Sequence, residues 1–177
     1  MIDLILRIHE HAWRLKKLKR SGWIERGVED PESVASHSYS VALLTMIIAD
    51  LRGLDPSNLL RMALIHDLAE SITGDLTPRM KERMRVEELE RRFFEDLMKG
   101  VPEEVARKYL DAWRRYSTSS DELAKLVKDI DKLEMGLQAV KYMDEGYERA
   151  EEIYRSALSQ IEDEELKRVL EAAAERT

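Results

Sequence analysis

The chain has no cysteine. That single absence excludes disulfides, thiolate zinc sites and cysteine nucleophiles together. Side-chain amides are nearly as scarce: one asparagine, Asn58, and two glutamines, Gln138 and Gln160, stand among 29 basic and 36 acidic residues. Scarce amides beside abundant Glu, Lys and Arg make a thermophile-like bias that says nothing about activity. Seven glycines and four prolines punctuate 177 residues, and no stretch alternates apolar with polar residues far enough to make a strand. No transmembrane run is expected. The N-terminal "MIDLILRIHEHAWRLKKLKR" carries charge throughout, unlike a signal peptide. A cytoplasmic location is the default expectation. The net charge of −7 argues against a nucleic-acid polymer or an anionic membrane as partner.

What remains is helix. Asp55-Pro56 provides an N-cap followed by proline at the first helical position, and Gly74 closes the helix so begun. Asp30-Pro31-Glu32 opens another that runs to Leu51, with Gly53 after it. Further helices are predicted over 2–19, 79–99, 103–116, 120–144, 147–161 and 163–175. With 44% apolar residues and no repeat or linker, residues 1–177 read as a single-domain, all-α bundle of seven or eight helices.

The segment "ALIHDLAESITGD", residues 63–75, places one histidine and three acids in an apolar helix. At about 100° per residue, Leu60, Leu64, Ile65, Leu68 and Ile72 fill one broad side. His66, Asp67 and Glu70 share the opposite arc around Ala63. The breadth of the apolar side predicts a buried helix whose polar arc faces an interior site. In residues 33–51, Val41, Leu44, Ile48 and Leu51 make the inward stripe, and His37 extends it by one turn. In residues 121–143 the stripe is Leu123, Leu126, Val127, Ile130, Leu133 and Leu137, with Glu134 in the same arc. Asp129 and Asp131 flank Ile130 on opposite sides, so periodicity does not choose between them. Burying such groups costs several kcal/mol each, at order of magnitude, unless they are paired or hold a metal. Two imidazoles with two or more carboxylates suit a divalent ion such as Zn, Mn, Co, Fe or Ni. His9 and His11, in the amphipathic N-terminal helix, have no acidic partner pattern and read as structural.

His37, the pair His66-Asp67 and Asp131 resemble the H…HD…D metal motif of the HD-domain phosphohydrolases, an all-α superfamily. "GWIERGVEDPESVASHSYSVALL", "ALIHDLAESITGDLTP" and "WRRYSTSSDELAKLVKDIDKLEMGLQA" are similar, in order and spacing, to segments of its 5′-deoxynucleotidase branch. The resemblance spans roughly residues 13–145. It implies that His37, His66, Asp67 and Asp131 hold a divalent metal (Co, Mn, Mg or Zn), and it selects Asp131 over Asp129. Glu70 and Asp75 fall at acidic positions beside the phosphate or at a second metal, where the Leu76 carbonyl also contributes. Trp23 matches a phosphate-orienting tryptophan. Some members carry an arginine just before it; here residue 22 is glycine and Arg20 is the nearest candidate, with Arg26 and Thr77 as further substrate contacts.

The implied reaction is hydrolysis of a 5′-deoxynucleoside monophosphate to a deoxynucleoside and phosphate. Glu70 or Asp75 orients or deprotonates the attacking water, Arg20, Arg26 or Lys132 adds positive charge, and Glu134 supports a ligand. A homodimer is expected by resemblance. Three alternatives stay open: another small phosphoester as substrate, a di-iron oxygenase, which generally needs further histidines, and a non-catalytic nucleotide- or metal-binding module.

Overall fold

The computed structural model describes residues 1–77 and 86–176. Every element in it is helical apart from one antiparallel bridge between Lys19 and Ser33. In chain order these are α1 (Ile2–Lys17), α2 (Ser21–Ile24), α3 (Val34–Leu51), α4 (Pro56–Ile65), α5 (Glu70–Thr73), α6 (Val86–Leu97), α7 (Glu103–Thr118), α8 (Glu122–Asp144), a 3₁₀ turn (Glu148–Ala150), α9 (Glu151–Gln160) and α10 (Glu164–Ala174). The all-α expectation holds. Of the helix expected over 79–99, residues 79–85 lie outside the described residues.

Asp121 starts the central helix by accepting the backbone N–H groups of Leu123 and Ala124, both at 3.1 Å. From that cap α8 runs 23 residues and is wrapped by α3, α4, α7, α9 and α10. It is therefore buried on several sides, and Asp129, Ile130, Asp131, Leu133 and Glu134 are all buried. Gly136 lets α9 and α10 come close: a methyl there would stand 2.6 Å from Leu170 and 3.3 Å from Ala157.

Asp129 and Asp131 part company in this setting. Asp129 accepts the backbone N–H groups of Glu162 and Asp163, at 3.2 and 2.8 Å, and so ties the turn before α10 to the central helix. Asp163 in turn caps α10 through the N–H groups of Glu165 and Leu166 and pairs with Arg52 at 2.5 Å, pinning the end of α3. The Arg52 guanidinium, helped by the cap, holds the Asp163 carboxyl below the usual carboxylate range despite partial burial. A depressed carboxyl contributes stability above its unfolded pKa and loses it as pH falls through the folded value. Asp163→Ala is accordingly expected to cost about 1–2 kcal/mol near neutral pH, and urea titrations should show the difference shrinking below about pH 4.

Three sequence expectations are corrected. First, α3 begins at Val34, because the Ser33 hydroxyl accepts the Ser36 N–H at 3.1 Å while residues before it run extended against Leu18–Arg20. Its inward face is Val34, His37, Ser38, Val41, Ala42, Thr45 and Ala49; Leu51 is 81% exposed. Second, the helix expected to run from 56 to 73 is interrupted after Ile65. Residues 66–69 form tight i→i+3 turns, with Leu68 N–H to Ile65 O and Glu70 N–H to Asp67 O both at 3.0 Å. The His66 ring takes the Ala63 carbonyl at 2.7 Å, which such a turn leaves accessible. Gly74, at φ 78°, then ends α5 as expected. Third, the apolar side of this segment is only partly buried: Ile65 is buried and Leu60 and Leu68 pack on the core, but Leu64 is 57% and Ile72 51% exposed, while Ala63, His66, Asp67 and Glu70 are buried.

One further difference concerns α3. It is long and apolar enough to cross a membrane, with a mean hydropathy of 1.4 over 18 residues. Here it packs against α1, α4 and α8 and buries His37.

Candidate active site

Four side chains from three elements converge on one point. His37 comes from the first turn of α3, His66 and Asp67 from the turn after α4, and Asp131 from the middle of α8. The Nε2 atom of His37 lies 3.1 Å from Asp131 Oδ1, 3.4 Å from His66 Nε2 and 3.7 Å from Asp67 Oδ2. His66 Nε2 lies 3.1 Å from Asp67 Oδ2 and 3.9 Å from Asp131 Oδ1. His37, His66 and Asp67 each offer a donor atom within 4.8 Å of the others, a group that could hold one cation, and Asp131 Oδ1 stands beside both ring nitrogens. Both rings are also oriented for it. His66 Nδ1 meets the Ala63 carbonyl at 2.7 Å and His37 Nδ1 meets Glu134 at 2.5 Å, which turns both Nε2 atoms to the shared point.

Charge is arranged around the same point. Arg20 Nη1 contacts Asp67 Oδ2 at 3.1 Å and Asp75 Oδ1 at 3.8 Å. Arg20 reaches the site because the Lys19–Ser33 bridge, with the Arg20 N–H on the Glu32 carbonyl at 3.1 Å, turns the chain back over α3. Burial alone would raise the Asp67 carboxyl, but His66, Arg20 and His37 outweigh it and hold the group well below the usual range. Burial likewise raises Asp131, and Lys132, His37 and His66 overcome it. His37 is fully enclosed; burial and Arg20 disfavour its charged form, yet the contacts with Asp131 and Glu134 raise it to about 10. Two ionised carboxylates facing two imidazoles attract a cation strongly.

These groups open on a cavity of about 1100 Å³ whose walls include Arg20, Trp23, Glu70, Asp75, Leu76, Thr77, Tyr116 and Lys132. Asp75 accepts the Ser21 backbone N–H, and the Ser21 hydroxyl donates to the Asp75 carbonyl at 2.7 Å. Trp23 is 2% exposed and its indole N–H donates to Glu32 at 3.0 Å, so that N–H is already engaged. Arg26 does not join the cavity wall. It donates to the Gly22 carbonyl at 3.0 Å and pairs with Glu152 at 3.3 Å. Glu70 and Asp75 line the cavity without closing a second cluster of three ligand-type side chains among the described residues. The other such cluster is Glu32, His37 and Glu134, built on the ring nitrogen that already meets Glu134.

Periodicity gives no hint of three participants. Ser21 belongs to a four-residue helix too short for a pattern, Glu32 reads as a helix opener, and Tyr116 as part of the amphipathic face of α7. Of the four histidines in the chain, His9 is exposed on α1, and His11 bonds Ser71 at 2.8 Å and packs edge-on against Phe93. Neither approaches the cluster as a further ligand.

With that geometry in view, the likeness to known proteins is specific. Residues 12–174 match the family model described as the HD domain. The chain is 40% identical to the 5′-deoxynucleotidase HDDC2 of Mus musculus over 144 residues, covering 79% of this chain and 70% of that one. It is 37% identical to the 5′-deoxynucleotidase HDDC2 of Homo sapiens over 171 residues, covering 93% and 82%. Its structure is similar to that of the PH0347 protein from Pyrococcus horikoshii OT3, with a TM-score of 0.80, 34% identity and full coverage of both chains. The chain belongs to the HD-domain family.

Proposed function

We propose that this chain is a metal-dependent phosphohydrolase that removes the 5′-phosphate from deoxynucleoside monophosphates. The observation that carries the reading is the convergence of His37, His66, Asp67 and Asp131 at 3.1–3.9 Å, with both rings locked by their outer nitrogens. The curated relatives, named as 5′-deoxynucleotidases, support the choice of substrate class. Those four residues would hold a divalent ion, which when bound polarises the phosphate and lowers the pKa of its water. Two imidazole nitrogens among the donors favour Zn, Co or Mn over Mg.

The chain's own residues do the rest. Arg20, at the edge of the cluster, binds a phosphate oxygen and offsets the two carboxylates. Glu70 shares its side of the turn with Asp67 and takes the proton of the attacking water. Asp75, fixed by Ser21, orients that water, and Glu70 passes the proton it has taken to the departing 5′ oxygen. Trp23, Leu76 and Thr77 wall the pocket that excludes bulk water, and Lys132 adds charge opposite. Glu134 keeps His37 in the tautomer that faces the cluster. Arg26 has no part in this scheme. With His9 exposed on α1 and His11 bonded to Ser71, the oxygenase alternative finds no extra histidine at the cluster.

Residues 1–177 would act as one unit, and we propose that two copies associate. Tyr39, Leu43, Met46 and Ile47 repeat along the outer face of α3 and are all exposed, beside Leu64 of α4. An apolar face of that extent on neighbouring helices fits a second copy of itself.

The substrate reading is tested by phosphate release with Co2+-loaded protein from 5′-dAMP, 3′-dAMP and AMP. Release from 5′-dAMP is expected, with about a tenth or less from the other two. Equal release from AMP, or release only from non-nucleoside phosphoesters, would contradict it.

A further inference from the structure

Asp131 presents its two oxygens to different neighbours. Oδ1 faces the cluster, 3.1 Å from His37 Nε2 and 3.9 Å from His66 Nε2. Oδ2 receives two donors, the Tyr116 hydroxyl at 3.1 Å and Lys132 Nζ at 2.9 Å. The two donors differ in kind. Lys132 carries its charge on a flexible, partly exposed stem, which neutralises without fixing an angle. Tyr116 is rigid, and its ring lies against the His66 ring with centroids 5.3 Å apart. Lys128 covers another approach, its Nζ 5.4 Å from the ring centroid. Tyr116 therefore touches two of the four cluster residues, one through its hydroxyl and one through its ring.

We infer that Tyr116 is a positioning residue of the metal centre: its hydroxyl holds Oδ2 of Asp131 so that Oδ1 alone faces the cation, while its ring braces His66. Without that bond only the flexible Lys132 amine holds Oδ2, and the carboxylate's last torsion is a broad two-fold rotor with no strong preference of its own. The inference rests on the metal reading above, and the test keeps the two apart.

Co2+ is titrated calorimetrically into chelator-stripped wild-type protein, Tyr116→Phe and Lys132→Met. Phenylalanine keeps the ring against His66 and removes only the hydroxyl. Tyr116→Phe is expected to raise the Co2+ Kd about tenfold or more, the usual cost of losing an outer-shell partner. Its kcat with 5′-dAMP should fall by a similar factor, with KM changed less than about twofold and the melting midpoint of the stripped protein unchanged. Lys132→Met should bind Co2+ as tightly as wild type or more tightly, since a neighbouring positive charge has gone. Unchanged Co2+ affinity in Tyr116→Phe, or a raised KM alone, would overturn the assignment, as would weaker binding in Lys132→Met than in Tyr116→Phe. Failure of the wild-type protein to take Co2+ would instead refute the metal reading.

Discussion

His66→Ala should lower phosphate release from 5′-dAMP by more than about a thousandfold, because the metal's activation of water goes with the ligand. The expectation follows from how little redundancy the site has. His66 Nε2 is within 4 Å of all three other donors, and its remaining nitrogen is committed to the Ala63 carbonyl. Alanine leaves Asp67 and Asp131 facing a gap that no other imidazole can fill, since His9 and His11 sit elsewhere. Two readings on the variant separate chemistry from collapse: metal content after gel filtration should fall, and helical circular dichroism should not. A variant that keeps its metal and turns over within tenfold of wild type would show that the cluster is not the reaction centre.

Glu70→Gln is expected to produce the second-largest loss, about a hundredfold to ten-thousandfold in kcat, the range a positioned general base contributes. Glu70 is 4% exposed at the cavity wall, at the start of α5, where the tight turn aligns it with Asp67 three residues earlier. Glutamine retains its size and polarity and cannot accept the proton. Co2+ affinity and KM should therefore stay within about threefold of wild type. Affinity falling in step with kcat would reassign Glu70 as a metal ligand and bring back a second ion shared with Asp75 and the Leu76 carbonyl.

Much of this site was legible before any coordinates. Val34 and Val41 bracket His37 at helical spacing, so one stripe carries all three inward, and the Asp55-Pro56 cap fixes where α4 begins. The same arithmetic sets His66, Asp67 and Glu70 on one arc, and they are buried together. The physics that periodicity misses is non-local. Asp129 and Asp131 are equally buried, and only the N–H groups of Glu162 and Asp163, more than 30 residues on, separate the capping role from the cluster. Arg20 reaches Asp67 only through the Lys19–Ser33 bridge, which no local preference announces.

The apolar side of residues 56–73 shows the opposite failure. Leu64 and Ile72 have the spacing of a core face, and burial was the natural expectation. The interior instead took the polar arc, because α3, the turn after α4 and α8 meet at the cluster, and Leu64 and Ile72 were left outside. Breadth of an apolar face indicates that something covers it, not that the same chain does. Likewise "LIHDLAE" has no helix breaker; the interruption after Ile65 comes from a side chain taking a backbone carbonyl.

The proposed cation would offset the burial of two aspartates against two histidines, and the most direct measurement is phosphate release from 5′-dAMP by chelator-stripped protein before and after Co2+ is returned. The account predicts negligible release from the stripped protein and recovery that rises with bound Co2+. Undiminished release after stripping, or none after a stoichiometric reload, would contradict it.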